Sequence, residues 1–331
     1  MKKSGNALKV SCLLIFVLVF QVFAATPTFA DRRPEFIFSG GPAGGTHFAA
    51  AGGAVIIFNQ YMETGRFDYG ASAGSVETVR RIGAHEYDLG FSHINTLWEA
   101  HHGVGLFEGN QLRNIQVLAK TETLTLLWFT LQGSDIRSVS DFPGRHINMS
   151  NPGSGTHVHT TQVLDALGLT EGTRTSSLNF ADGGRALLDG QLDVAVSVGN
   201  PFSSAIINEI SMQRPIQFIE FTDEEIENLT AIFPFYEAVT VPAGLISGVD
   251  EPVNVLGYSV FWVAHEDMPA DVVYEMMNTV MAQQEVLIGI QSAWGDVAPD
   301  FELLDWGVQL HPGAVRFWQG RGVEIAPHLI P

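Results

Sequence analysis

Short apolar runs alternate with glycine-rich turns and longer mixed segments along most of the chain. The runs with the length of a buried strand are residues 35–39, 89–92, 146–150 and 194–198. Segments long enough for helices lie between them, at about 46–62, 74–83, 156–167 and 183–188. Gly168 is placed to end the third of these helices. Strands and helices in this order predict an α/β fold, with a parallel sheet covered by helices on both faces.

This pattern occurs twice. The aligned segments are 42–47 with 152–157 at an offset of 110, 73–75 with 182–184 at 109, and 86–92 with 191–197 at 105. Collinear matches at nearly one offset indicate a duplicated unit of strand, helix, helix and strand. The duplication predicts two lobes.

The remaining elements indicate how the chain passes between the lobes. β-rich runs at 115–120 and 124–131 leave the first lobe and enter the second. Thr222 and Glu225 form a capping box that opens a helix to about Ile232, and a Pro- and Gly-rich stretch follows at 234–254. A strand at 256–264, a helix after Pro269 and a final helix after residues 311–313 complete the chain. We expect lobe 1 to contain residues 31–123 and 260–331, and lobe 2 residues 124–259.

The N-terminus has the organisation of a secretory signal peptide. Three lysines precede an apolar run at 10–25, and residues 28–30 offer small side chains before a cleavage point after Ala30. An uncleaved anchor and a lipoprotein signal that uses Cys12 are the alternatives. Cleavage would remove the single Cys of the chain, so an exported protein of this sequence must fold without disulfides. We therefore expect residues 1–30 to direct the protein to the periplasm.

Composition and charge restrict the function. The chain has 331 residues, of which 46% are hydrophobic and 16% charged, which is enough apolar surface for folded lobes. Loss of three of the 17 basic residues with the signal peptide leaves 14 against 36 acidic residues, a formal charge of −22. Such a surface cannot bind a phosphate backbone through a basic stripe, so we expect no nucleic-acid partner.

Two matched turns, at 44–47 and 154–157, are the strongest candidates for ligand binding. Each contains Gly-Thr-His and lies where a predicted strand ends and a helix begins. Unpaired N–H groups and the positive end of the helix dipole favour an anion at such a place, and glycine permits close approach. The alternative is that the glycines only form tight turns and that Thr46 and Thr156 are helix N-caps.

Other sequence motifs bear on whether the protein is an enzyme. Residues 70–74 fit the G-x-S-x-G nucleophile elbow, which would make Ser72 the nucleophile of a hydrolase. The motif lies too early in the chain for that fold, and its repeat partner at 182–184 has no serine, so a polar turn facing the cleft is favoured. No Walker A lysine follows either glycine turn.

The histidines and aromatic residues are assigned mostly to structure. The histidines that could include metal ligands are His85, His93, His101, His102, His157 and His159, but they lack the regular spacing of a zinc site. The tandem pair at 101–102 is interpreted as a solvated turn. Trp98, Trp128 and Trp262 are assigned to packing, and the aromatic run at 233–236 is more typical of a core than of a site. We expect no metal and no cofactor.

Five segments resemble the TAXI family, the solute-binding subunits of a class of TRAP transporters. They are residues 44–46, 74–77, 151–156, 242–244 and 310–316, and they follow one another in the family's order along nearly the whole mature chain. The resemblance implies a type II periplasmic binding protein, with two lobes joined by a hinge of two crossings.

The same resemblance implies a non-enzymatic receptor that carries a small ligand to a TRAP membrane permease. Relatives in this family bind glutamate-like amino acids or 2-oxoglutarate-type dicarboxylates, so a small carboxylate is implied here. The sequence departs from the family at His47-Phe48 and at 233–236, where aromatic or Tyr-rich segments are common, and these positions could alter the ligand. A ligand sensor for a signalling receptor and a serine hydrolase acting through Ser72 remain the alternatives. We expect a monomer.

The expected ligand-binding residues come from the glycine turns, the strand ends and the aromatic run. They are Gly44, Gly45, Thr46, His47, Ser72, Gly74, Ser75, Ser92, His93, Asn95, Ser154, Gly155, Thr156, His157, Asn200, Pro201 and Phe235.

Overall fold

The computed structural model describes residues 33–42, 46–199, 204–246 and 249–331. The predicted signal peptide and Cys12 lie outside these residues, as do Gly44, Gly45, Asn200 and Pro201. Within the described part of the chain, no helix is both long enough and apolar enough to cross a membrane.

Ten strands are present in the described residues. They are β1 (Glu35–Ser39), β2 (Arg66–Gly70), β3 (Leu89–His93), β4 (Ile115–Leu131), β5 (His146–Asn148), β6 (Arg174–Ser176), β7 (Ala195–Gly199), β8 (Ile216–Phe218), β9 (Tyr236–Val241) and β10 (Val253–His265). Eight of them form one sheet of order β2-β1-β3-β10-β4-β7, with β8 paired to β4 and β9 paired to β10. β5 and β6 form a separate parallel pair.

Helices connect these strands. They are α1 (Thr46–Tyr61), α2 (Ser75–Gly83), α3 (Ile94–His102), α4 (Gly155–Ala166), α5 (Phe180–Leu188), α6 (Ala205–Gln213), α7 (Asp223–Ile232), α8 (Ala270–Ala282), α9 (Gln284–Ile290) and α10 (Pro312–Gln319). Both copies of the sequence repeat show the predicted order of strand, helix, helix and strand, so the α/β prediction is confirmed. Strands β2, β6 and β8 and helices α3, α6 and α9 are additional to the sequence prediction.

The main sheet is mixed, not wholly parallel as predicted. β1 is parallel to β2 and β3, whereas β10 runs antiparallel to β3, β4 and β9. β4 is also antiparallel to β7 and β8. Each of these antiparallel pairs includes β4 or β10, the two long strands in the middle of the sheet.

β4 corrects one sequence prediction. The runs 115–120 and 124–131 were expected to be separate, yet they form one 17-residue strand. Thr121 and Thr123 interrupt the apolar pattern, but the backbone continues, and Thr121 donates from its hydroxyl to the Val260 carbonyl at 3.1 Å. The register of the β4–β10 pairing shifts twice, between Val260 and Phe261 and between Trp262 and Val263, as at a β-bulge.

Strand β9 corrects a second sequence prediction. The Pro- and Gly-rich stretch 234–254 contains this six-residue strand, whose buried ends are Tyr236 and Val241. Its central residues alternate between half-buried and exposed positions, as expected for a strand with one face on the protein.

Some helix ends agree with the sequence prediction and others differ from it. The capping box of α7 is present, since the Thr222 hydroxyl accepts from Glu225 N–H while the Glu225 carboxylate accepts from Thr222 N–H. Gly168 has a φ of 66° directly after α4, which confirms its role at the helix end. Ser154, not Thr156, is the N-cap of α4. The histidines 101 and 102 lie in the last turn of α3, not in a separate turn.

The core fills the space between the sheet and its helices. Its largest fully buried side chains include Trp128, Trp262 and Trp294, and Trp98 packs against it while partly exposed. The packing roles predicted for Trp98, Trp128 and Trp262 are therefore confirmed. A second, smaller core lies around β7, β8 and α6, with Phe129 and Ile210 among its members.

Candidate functional site

The turn before α2 faces the turn before α4. A Cβ atom on Gly74 would lie 3.1 Å from Cα of Ser154, and the Asn95 side-chain amide donates to the Gly155 carbonyl at 3.4 Å. The His93 ring lies against the same glycine, because a Cβ on Gly155 would be 2.4 Å from Nδ1 of His93. Residues from both copies of the repeat therefore meet here, with glycines at the points of closest approach.

The N-terminus of α4 is stabilised by its own side chains. Ser154 Oγ accepts from His157 N–H at 3.1 Å and donates to the Asn151 carbonyl at 2.7 Å. The Thr156 side chain is only 2% exposed. The N–H groups of Gly155 and Thr156, in the first helical turn, have no carbonyl partner within the helix. This turn can therefore hold an anion beside His93.

His93 belongs to a group of buried aromatic side chains that carry polar atoms. Its backbone N–H donates to Ser75 Oγ at 3.2 Å, and its ring centroid lies 5.0 Å from that of Tyr258 and 5.4 Å from that of His159. The His159 and Tyr258 centroids are 3.7 Å apart. We call His93, His159, Tyr236 and Tyr258 the buried polar cluster.

Three polar atoms of this cluster have no hydrogen-bond partner among the described residues. They are Nδ1 of His93, Nε2 of His159 and the Tyr258 hydroxyl. A buried polar atom left unpaired costs about 1–3 kcal/mol, so proteins rarely retain three together without a purpose. The cluster is therefore the place where polar atoms of a ligand, or of ordered water, would be satisfied.

A hydrogen-bond chain fixes the tautomer of His159. Glu99 Oε1 accepts from Gln162 Nε2 at 3.0 Å, which leaves Gln162 Oε1 to accept from the Tyr236 hydroxyl at 2.8 Å. Tyr236 then accepts from Nδ1 of His159 at 2.8 Å. The proton of a neutral His159 is thus on Nδ1, and its unpaired Nε2 is an acceptor.

Burial keeps the cluster uncharged. It lowers the pKa of His93 to about 3, with a further contribution from His47, and lowers that of His159 well below its usual value. It also raises the pKa of both Tyr236 and Tyr258 well above the usual value. At neutral pH the cluster therefore offers neutral donors and acceptors to a ligand and no formal charge.

Glu122 lies near both the buried polar cluster and a cavity. Its Oε1 lies 2.8 Å from Nε2 of His47, whose ring centroid is 6.4 Å from that of His93. A cavity of about 490 Å³ opens beside Glu122 and is also lined by Lys120 and residues 295–298. That volume is within the range of small-molecule pockets. Lys120 itself pairs with Asp300 at 2.6 Å, so its charge is already compensated.

The other predicted site residues have varied positions. Thr46 is exposed at the start of α1, and Ser92 is fully buried behind His93. Phe235 is fully buried, with its ring centroid 6.0 Å from that of Trp98 and 4.9 Å from that of Tyr236. Gly44, Gly45, Asn200 and Pro201 lie outside the described residues.

Ser72 lacks the surroundings of a catalytic nucleophile. Its Oγ lies 2.8 Å from Oγ1 of Thr78 and also contacts the backbone of Gly74. Within the described residues it makes no hydrogen bond to a histidine or a carboxylate, which an activated serine requires. The G-x-S-x-G match is therefore a polar turn in this fold.

Tyr258, Tyr236 and the Gln162–Glu99 pair are residues of the site that no sequence motif marks. The available signal for Tyr258 was the Tyr-Ser pair in the middle of an otherwise apolar strand. His159 was considered only as a metal ligand. Its partners are remote in sequence, so no local motif indicated them.

Comparison with solved structures identifies the fold. XAC2383 from Xanthomonas citri, bound to ATP, matches with a TM-score of 0.53 at 11% identity, covering 86% of this chain and 94% of that one. A putative L-cystine ABC transporter protein from Listeria monocytogenes matches with a TM-score of 0.50 at 10% identity, covering 79% and 95%. The protein has the fold of type II periplasmic binding proteins, as expected.

The family follows from the sequence itself. The profile of the NMT1-like family matches residues 38–322, which is most of the chain, so the protein belongs to that family.

Proposed function

We propose that the protein is an extracytoplasmic solute receptor that captures a small carboxylate and delivers it to a TRAP membrane permease. The fold is one used by binding proteins, and five segments resemble TAXI subunits. The observation that carries the proposal is the set of unpaired polar atoms in the buried polar cluster, next to the N-terminus of α4.

The ligand carboxylate would bind to the amides of Gly155 and Thr156 and to the hydroxyl of Thr156. Ser154 would join only by turning its proton from the Asn151 carbonyl to the ligand. No Arg or Lys hydrogen bonds to the buried polar cluster in the described residues, and Arg185, the one arginine near a predicted cleft turn, is exposed and pairs with Asp182. Backbone amides at a helix start can hold a carboxylate without a cationic side chain.

Nε2 of His159, which is a hydrogen-bond acceptor, favours one of the two ligand types that the resemblance implies. A ligand atom that meets Nε2 must donate a hydrogen bond, and the nearby Glu122 carboxylate also favours a donor or a cation. A glutamate-like amino acid has an ammonium group for this purpose, whereas a fully ionised 2-oxoglutarate has no donor. We therefore propose the amino acid over the oxo acid.

A calorimetric panel tests the ligand class. L-glutamate, L-glutamine, 2-oxoglutarate, a sugar and a cationic amino acid are titrated into the purified protein after native mass spectrometry has identified any co-purified ligand. Binding of an acidic amino acid or its amide supports the proposal. Heat only from sugars or from cationic amino acids contradicts it.

Two tyrosine-to-phenylalanine variants, one in the site and one outside it, test the proposed site. Tyr258→Phe removes a hydroxyl that has no hydrogen-bond partner among the residues that the structure describes, so no hydrogen bond seen there is lost. Loss of a hydrogen bond to a charged ligand group costs about 1.5–3 kcal/mol, or roughly ten- to a hundredfold in affinity. Tyr61→Phe, at a tyrosine that is 49% exposed, is the control. Equal affinities in both variants would place the ligand elsewhere.

The transport partner is a separate part of the proposal. Vesicles that contain a TRAP permease encoded beside this protein should accumulate labelled ligand only when the receptor is added. Activation of a signalling receptor without any transport would favour the sensor alternative. In either role the two predicted lobes, residues 31–123 with 260–331 and residues 124–259, would close on the ligand and reduce the radius of gyration in X-ray scattering.

A further inference from the structure

A second group of chemically active side chains lies far from the proposed ligand site. His265 ends β10, Asp267 lies in the turn before α8, and His85 lies in the turn after α2. His265 is seven residues along β10 from Tyr258, which at about 3.3 Å per residue is a separation of roughly 23 Å. The proposed function uses none of these three residues.

We propose that His85, His265 and Asp267 form a binding site for one Zn²⁺ ion. One ligand atom from each of these three residues lies within 4.8 Å of the other two. The distances from Oδ2 of Asp267 are 3.5 Å to His85 Nε2 and 3.7 Å to His265 Nδ1. Ligand atoms around a tetrahedral zinc ion are separated by about 3.3–3.5 Å, so these two distances are already close to those around a bound ion.

The donor set favours zinc over calcium or magnesium. Two imidazole nitrogens and one carboxylate oxygen form the kind of three-ligand set that zinc accepts, with water at the fourth position. Calcium and magnesium prefer all-oxygen surroundings. Asp267 is 73% and His85 56% exposed, so the open position faces solvent and an ion can enter without unfolding.

His265 provides the fixed part of the site. Its side chain is only 3% exposed, and Nδ1 accepts from Asp267 N–H at 3.1 Å. The Nδ1 lone pair therefore faces the Asp267 turn, and a zinc ion would replace this hydrogen bond. Its other nitrogen, Nε2, lies 2.9 Å from the Asn114 amide, whose side-chain oxygen is buried without a partner. A half-turn of that amide would let the oxygen accept from Nε2–H, the kind of outer contact that orients a metal-bound histidine. It would do so in exchange for the hydrogen bond that the amide nitrogen donates to the Gly83 carbonyl at 3.0 Å.

His85 provides the mobile part. Its ring is stacked on His265, with centroids 3.5 Å apart and a 39° angle between planes, so it must rotate to direct Nε2 at a shared ion. Its exposure leaves room for that rotation. His85 also has a φ of 57°, a left-handed conformation that is uncommon for a residue other than glycine and often accompanies a functional site.

Zinc titration tests the site in protein purified without a polyhistidine tag. We expect one saturable zinc ion per chain, no competition from magnesium, and a rise in the thermal unfolding midpoint on addition of zinc. His85→Gln and Asp267→Asn, both at exposed positions, should weaken zinc binding by at least tenfold, since loss of even an outer contact costs about 10–100-fold.

The matched control is His328→Gln, at another exposed histidine, which should bind zinc as the wild type does. Zinc binding that is unaffected by both site variants, or equally weakened by the control, would overturn the proposal. An absence of saturable binding would overturn it as well. Binding in the cleft should be the same in His85→Gln and wild type, so the two proposals fail independently.

Discussion

The two Gly-Thr-His turns have nearly the same sequence but different surroundings. In the second turn Thr156 is 2% exposed, and Ser154 caps the helix. In the first turn Thr46 is exposed, and Gly44 occupies the position that corresponds to Ser154, so no hydroxyl is available there for the same cap. The two copies thus share a sequence pattern, while the side chains at matched positions differ in chemistry.

The histidines of the two turns also differ. His47 contacts Glu122 at 2.8 Å, whereas Nδ1 of His157 lies 3.2 Å from the Ser150 carbonyl. The second turn is thus held by bonds within its own loop, while the first reaches across to β4. We infer that the second turn is the preorganised anion site, and that the first supplies a side chain near the cavity.

The largest expected difference between the turns is in ligand affinity. Thr156→Val keeps the shape of the side chain but removes its hydroxyl, and should weaken carboxylate binding by about 1.5–3 kcal/mol. Thr46→Val, the matched change in the first turn, should leave affinity nearly unchanged. Calorimetry with the ligand found in the panel measures both. Equal losses, or no loss at Thr156, would remove the distinction between the turns.

Close packing of the second turn predicts the next effect. An added methyl at Gly155 would lie 2.4 Å from Nδ1 and 2.8 Å from Cγ of the buried His93 ring. Gly155→Ala should therefore destabilise the fold by about 1–3 kcal/mol in urea unfolding, the usual cost of overpacking. Gly289→Ala is the control, because no atom lies within 4 Å of its added methyl. A Gly155→Ala protein as stable as this control would contradict the contact.

The burial around the second turn predicts acid sensitivity. Because the pKa of His93 falls to about 3 on folding, the unfolded chain binds a proton below about pH 6.5 that the folded protein does not. His93 alone should then lower the free energy of unfolding by up to about 1.4 kcal/mol per pH unit as the pH falls below 6.5, and His159, whose pKa is also lowered by burial, adds to this slope.

Glu99 acts in the opposite direction. Burial raises the pKa of this carboxyl, so its proton uptake in the folded protein adds stability as the pH falls. The contribution of His93 is therefore isolated by comparison with His93→Gln, whose unfolding free energy should change less between pH 7 and pH 5. An identical slope in the variant would assign the acid sensitivity to other groups.

The smallest expected effect concerns the helix cap. Ser154→Ala removes the acceptor for His157 N–H and should cost about 1 kcal/mol of stability, the typical value of an N-cap. In the first turn Gly44→Ser offers a hydroxyl at the corresponding position and tests whether the cap can be transferred. A loss at Ser154 well below 0.5 kcal/mol would show that α4 does not depend on its cap.

The sequence predicted those parts of the fold that local chemistry determines. Thr222 and Glu225 stand three residues apart before a helix, and Gly168 stands where α4 ends, so both signals could be read without knowledge of the tertiary structure. α3 lacked such a signal, because it begins directly after β3 with His93 at the cap position and no side-chain cap. β9 was obscured by the prolines and glycines on either side of it.

The site was predictable where a repeated motif or the end of a predicted strand marked it, as at residues 154–157 and at His93. The residues 154–157 were found through their resemblance to the first copy. The pairing of His159 with Tyr236, 77 residues later, depends on how α4 packs against the strand that the sequence analysis missed. The antiparallel direction of β10 against β3, which brings Tyr258 beside His93, is equally a property of the tertiary fold.

The two long strands have a consequence for how the molecule comes apart. β4 and β10 run side by side through the middle of the sheet, paired from Ile115 with His265 to Leu126 with Leu256, and each has further strands at its other edge. The two halves of the sheet are thus joined by the many pairs between β4 and β10, and not by one exposed connecting segment. A protease that nicks one surface loop should therefore leave the two fragments associated, and they should separate only when denaturant breaks the shared strands.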